Sequence, residues 1–146
     1  MHGRIFVING EDYVDEDYLF DIKEDTLIDY IAQSEFADDI DKLKECDYYK
    51  IDANNELTFN IPAIEELFMN KYVELCIIMH NELSSPKDFA ENFWKLKVDI
   101  ELNHDFKFYY NGCLWDELDF LTMIYRNFKY VEKEKLIITN TFDYHY

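Results

Sequence analysis

Gly3-Arg4-Ile5-Phe6-Val7-Ile8-Asn9 carries four consecutive apolar residues, three of them β-branched. Such side chains lose little freedom in an extended backbone. A run that is apolar at odd and even positions alike must bury both faces of the strand it forms. The stretch therefore predicts a strand in the middle of a sheet, and the rest of the chain has to supply that strand's neighbours and its cover.

Working outward, residues 11–21 interleave acids with Tyr13, Val14, Tyr18, Leu19 and Phe20, and Tyr18 to Ile22 reads as a short strand. Leu27, Ile28, Ile31 and Ala32 fit one helical face, and Phe36, Ile40 and Leu43 fit the next. That second helix is expected to expose Glu35, Asp38, Asp39, Asp41 and Glu45. Like charges one turn apart disfavour a helix slightly, so the acids cost something and return nothing to folding. Ala53-Asn54-Asn55, between Tyr48–Asp52 and Glu56–Ile61, predicts a hairpin, because asparagine tolerates the left-handed region. Pro62 starts a helix running to Leu83, with Ile64, Leu67, Phe68, Tyr72, Leu75, Cys76 and Met79 on a stripe expected to face the core. Ser85 caps a short helix, with Asp88 three residues on.

Trp94, Leu96, Val98, Ile100 and Leu102 alternate with Lys95, Lys97, Asp99 and Glu101, the pattern of a half-buried strand. Asn111-Gly112 joins Asp105–Tyr110 to Cys113–Trp115 through a primed turn. Asp116–Asn127 is helical, with Leu118, Leu121, Ile124 and Tyr125 inward. Phe128–Val131 and Lys135–Thr139 read as strands around Glu132-Lys133-Glu134. Strands and helices come in pairs rather than in strict alternation. The expectation is an α+β fold, one domain over residues 1–146, with a mainly antiparallel sheet and about four helices.

Composition narrows the function. The chain has 146 residues, 49% of them hydrophobic, with 12 Phe, 12 Tyr and 2 Trp, which is far too aromatic for a disordered acidic tail. No run reaches the roughly 20 apolar residues of a membrane span. Three cysteines without paired spacing read as reduced thiols in a cytoplasmic protein. With 3 glycines there is neither a phosphate-cradling loop nor a dinucleotide fingerprint. His104-Asp105, with His80 upstream, looks like a metal phosphohydrolase dipeptide but reads as a polar turn. Asp99 and Glu101 with Lys95 and Lys97 lie on the solvent face of an alternating strand, as exposed salt bridges do. Asp12-Tyr-Val-Asp15-Glu-Asp17 lacks the glycine and closing Glu of a calcium loop. No catalytic residue, cofactor or metal site is expected.

The charge is the anomaly. The net value is −18, and residues 11–47 hold 15 of the 32 acids against Lys23, Lys42 and Lys44. Self-repulsion on that scale costs stability, and phosphate would repel such a surface, so direct nucleic-acid binding is excluded. A basic protein partner remains, with Asp12, Asp15, Glu16, Asp17, Glu35, Asp38, Asp39 and Asp41 as its contacts. Tyr13, Tyr18, Phe20 and Tyr30 are the candidate aromatic anchors.

The opening strand Ile5-Phe6-Val7-Ile8-Asn9 followed by an acidic stretch, and the end Ile137-Ile138-Thr139-Asn140-Thr141 with a terminal Tyr146, resemble the acidic, aromatic-rich anti-defence proteins of phages and mobile elements. These are the anti-CRISPR and ArdA-type antirestriction proteins that act as DNA mimics. The resemblance implies a stoichiometric inhibitor that occupies the nucleic-acid-binding surface of a prokaryotic defence effector, without catalytic residues. An immunity protein that neutralises a basic nuclease toxin would use the same physics, and a small metal-dependent hydrolase is the third alternative.

Overall fold

The computed structural model describes residues 2–10, 30–82, 85–92 and 105–145. Met1–Asn60 with His104–Tyr146 make one compact unit and Ile61–Asn103 a second.

The first unit is built on a five-stranded sheet. Its strands are β1 (His2–Ile8), β2 (Tyr30–Gln33), β5 (Phe106–Tyr110), β6 (Cys113–Asp116) and β7 (Ile138–His145). Their spatial order is β2-β7-β1-β5-β6, so the opening apolar run is the middle strand. The two faces of β1 are both packed. Phe6 lies 5.6 Å from Phe108, while Ile5 and Val7 join Tyr109, Phe142 and Tyr144 in a separate cluster. Gly3 lets the Tyr144 ring lie directly over the strand, since a Cβ there would sit 2.2 Å from it.

The fold class is α+β, and the sheet is mixed. Among the described strands β2–β7, β7–β1 and β5–β6 are antiparallel, but β1 and β5 run parallel, with Phe6 opposite Phe108. The antiparallel expectation came from local hairpins, and β1 and β5 are joined by no hairpin. A second, two-stranded sheet pairs β3 (Tyr49–Ile51) with β4 (Leu57–Phe59). Its turn has Asn55 at φ 60°, and Asp52 Oδ1 accepts the backbone N–H groups of Asn54 and Glu56 at 2.8 and 2.9 Å. The Asn111-Gly112 turn has φ of 52° and 75°, as a primed hairpin demands.

Helix α1 (Phe36–Lys44) buries Ile40 and Leu43. Helix α3 (Glu117–Arg126) buries Phe120, Leu121 and Ile124. The short α4 (Phe128–Val131) follows it directly. The second unit contains α2 (Ile61–Glu82), and residues 86–92 are helical behind a Ser85 hydroxyl that accepts the Asp88 N–H at 3.1 Å.

Four local expectations need correction. Residues 30–33 form a strand rather than the end of a helix, because β7 supplies backbone partners across Tyr30↔His145 to Gln33↔Phe142. Residues 128–131 are helical: the Val131 and Glu132 N–H groups donate to Asn127 and Phe128 carbonyls at 3.1 and 2.8 Å. Phe128 and Val131, three residues apart, are the less exposed pair, while Lys129 and Tyr130 between them both face water, a helical phase. The last strand runs on to His145 instead of ending at Thr139. Tyr125 is exposed, and Phe120 takes its place in the core. The strands read over 18–22 and 94–102 lie outside the described residues.

Candidate protein-binding surface

Residues 35–47 hold six acids against two lysines, and α1 sorts them by face. Asp39 falls on the apolar side, with Phe36, Ile40 and Leu43 at helical spacing. It is 1% exposed, and Arg4 Nε donates to its Oδ1 at 2.5 Å. The Ser34 hydroxyl donates to its other oxygen. Arg4 Nη1 continues to Asp143 Oδ1 at 2.5 Å, so one guanidinium ties β1 to α1 and β7. The expectation that Asp39 is exposed is therefore corrected: its carboxylate is held inside the fold as the hydrogen-bonded counter-charge of the half-buried Arg4.

Glu35, Asp38, Asp41 and Glu45 are exposed. Spaced by three or four residues, they follow one ridge with about 5.4 Å of rise per turn. Lys42 lies on the same ridge and approaches Asp39 at 3.9 Å, while Lys44 pairs with Asp41 at 3.1 Å. Asp38 sits in the first turn, where the helix dipole favours a negative charge. This supplies a folding benefit that charge spacing alone does not show. Asp47 extends the exposed acids past the helix end. Asp12, Asp15, Glu16 and Asp17 lie outside the described residues, as do Tyr13, Tyr18 and Phe20, so the α1 half of the expected surface is the part that falls within the described residues.

A second polar cluster, missed in the sequence, lies under β3. The Tyr49 phenol donates to Glu117 Oε1 at 2.8 Å, and Tyr49, Glu117 and Cys46 are 4%, 3% and 8% exposed. Burial, then the Glu117 charge, lifts the Tyr49 phenol well above its ordinary value. Burial first, with Glu117, Asp47 and Glu45 adding to it, pushes the Cys46 thiol up to about 11. A base and a thiol so placed resemble a reactive pair. Yet the raised thiol value removes the thiolate that reactivity requires, and the burial keeps substrates out. The signal in the sequence was weak: a Glu one residue into a helix reads as an ordinary first-turn acid.

These groups predict alkaline lability. Both folded values are raised, so the unfolded chain ionises first, and the stability involved is complete below the unfolded values and lost as pH climbs through the folded ones. The thermal midpoint, followed by circular dichroism, is expected to fall as pH rises from 9 towards 11. Cys46→Ala should lose part of that fall. A midpoint flat through pH 11 in the unaltered chain contradicts the assignment.

Among the described residues no group of three or more His, Cys, Asp or Glu side chains is placed to hold a metal ion. Among them, too, no helix is long and apolar enough to cross a membrane. Asp105 accepts the Arg4 N–H with its backbone carbonyl at 2.8 Å; His104, Asp99, Glu101, Lys95 and Lys97 lie outside the described residues. His80 is exposed on α2. Comparison with protein-family models, with curated proteins and with solved structures gives no match.

Proposed function

We propose that the chain is a stoichiometric acidic inhibitor that binds a basic, nucleic-acid-binding surface of a prokaryotic defence effector, a CRISPR nuclease complex or a restriction enzyme, in place of DNA. The observation that carries this is the concentration of charge: 15 of 32 acids fall within residues 11–47 of a chain with net charge −18. The exposed ridge Glu35, Asp38, Asp41 and Glu45 supports it, because carboxylates one turn apart repeat on the same scale as the roughly 3.4 Å axial phosphate spacing of a DNA strand. Charge of this kind sets the speed and selectivity of encounter more than the final affinity. The mode of action uses no catalytic residue, cofactor or metal.

The test is displacement of labelled duplex DNA from purified CRISPR nuclease complexes and restriction enzymes. One effector should release its DNA at a near-equimolar ratio of inhibitor. Its association rate should fall steeply with salt, since exposed charges are screened over about 8–10 Å near physiological ionic strength. Asp38→Lys/Asp41→Lys/Glu45→Lys should raise the inhibitor concentration needed by tenfold or more, with the exposed Glu91→Lys/Glu132→Lys as control. A salt-independent rate, or a control that abolishes inhibition while the α1 variant inhibits normally, sinks the proposal.

A further inference from the structure

Helix α2 was expected to turn one apolar stripe to the core, but it is apolar on more than one side. Ile64 and Leu67, near its start, are buried. Met69, Tyr72, Val73, Ile77 and Met79 are 61%, 63%, 46%, 54% and 52% exposed. Cys76, between them, is exposed as well. Met69, Val73 and Cys76 recur at i, i+4 and i+7, so they lie along one line of the helix, with Tyr72 and Ile77 beside it. An exposed helix ordinarily turns polar residues to water. Five large apolar side chains, each about half exposed, offer surface on the order of 300–600 Å², the range of functional patches on monomers. Two methionines add side chains that adapt to differently shaped partners.

The surroundings choose the occupant. The stripe runs at its N-terminal end into Glu65 and Glu66, both exposed, and the whole chain carries −18. A second copy would bring the same charge against it, and a standard interface needs about 800 Å² per partner, more than this stripe holds. From Met69 to His80 the stripe is about 16 Å long, three turns, which suits a single helix laid along it. We propose that this face of α2 docks an amphipathic helix of a partner protein, apolar on one side and bearing lysine or arginine at its margins. It shares with the α1 ridge only the sign of the partner's charge, and either surface can be right without the other.

Cys76 gives the unaltered chain a reporter at the centre of the stripe, and exposed Cys113 in β6 is an internal control. The probe is a synthetic 18-residue Leu/Lys peptide with leucines at i, i+3, i+4 and i+7. It should slow maleimide modification of Cys76 at least tenfold and leave Cys113 unchanged, read by peptide mass spectrometry. A scrambled peptide of equal composition and a Leu/Glu peptide should do neither. Val73→Gln/Ile77→Gln keeps the charge and should weaken Leu/Lys binding at least tenfold by fluorescence anisotropy. Asp38→Lys/Asp41→Lys should lower it only by a salt-dependent fraction. Four results overturn the inference: slow Cys76 modification in the free chain, equal protection by the scrambled peptide, equal binding of the Leu/Glu peptide, or a dimer in sedimentation that Ile77→Gln dissociates. Should the glutamine variant not fold, the Cys76 protection pattern in the unaltered chain decides.

Discussion

Asp39→Lys is expected to lower stability by about 3–5 kcal/mol, enough to unfold much of the population of a marginally stable domain, while Asp38→Lys should change it by less than about 1 kcal/mol. Adjacent and chemically identical, the two acids have opposite environments. Asp39 is buried and receives the Arg4 guanidinium at 2.5 Å. Lysine there removes the counter-charge of Arg4 and sets a second cation beside it, against which Arg4 keeps the Asp143 carboxylate at 2.5 Å. The side chain of Arg4 is only 20% exposed, so water screens little of this. Asp38 is exposed and loses only its favourable place in the first turn. Urea denaturation of both variants is the measurement. Asp39→Lys within about 1 kcal/mol of the unaltered chain would show that the Arg4 network does not hold the sheet to α1.

The same pair shows how much of the candidate surface the sequence could disclose. Charge density along residues 35–47 was legible, and so was the apolar face Phe36, Ile40 and Leu43. Asp39 falls within that face at i+3 from Phe36, which was the available sign that its carboxylate points inward. Its partners were not visible locally: Arg4 is 35 residues away, and Asp143 follows 104 residues after Asp39. A charge count treats every acid as solvated, whereas a long-range ion pair withdraws one of them from the surface.

For the fold, signals local in sequence translated well. The central strand, both asparagine turns, the Ser85 cap and the spans of α1, α2 and α3 follow from short-range sterics and hydrogen bonding. What failed depended on distant partners. Ile31 and Ala32 fit helical spacing, but strand β7, more than 100 residues on, offered them ladder partners. The parallel β1–β5 pairing has no hairpin to announce it. On α2 the apolar residues surround the axis, so periodicity does not say which side is buried, and the core stripe it suggests wrongly includes the exposed Tyr72, Cys76 and Met79.

Phe108→Ala is the second large effect expected, about 3–5 kcal/mol of lost stability. Phe108 is fully buried and stands where the elements of the first unit meet. Its ring stacks on Phe120 of α3 at 4.2 Å, lies 5.6 Å from Phe6 of β1 and 5.5 Å from Tyr49 of β3. Truncation loses the transfer energy of the ring and leaves a cavity walled by three elements, so the surroundings cannot collapse without moving a strand or a helix. Each aromatic contact adds about 0.5–1.5 kcal/mol beyond burial, which places this site at the upper end of that range. Tyr130→Ala is the matched control: Tyr130 is 76% exposed, and its loss should cost within about 0.5 kcal/mol. Phe108→Leu, which fills most of the space, should fall between them. The substitution also reaches the buried polar cluster, because Tyr49 packs on the ring that is removed. Loss of the ring packed on Tyr49 loosens the burial that raises its phenol, so the fall of stability with alkaline pH should be shallower in Phe108→Ala than in the unaltered chain. Urea midpoints measured at neutral and alkaline pH test both parts. A Phe108→Ala variant as stable as Tyr130→Ala would mean that the aromatic cluster is not what joins β1, β3 and α3.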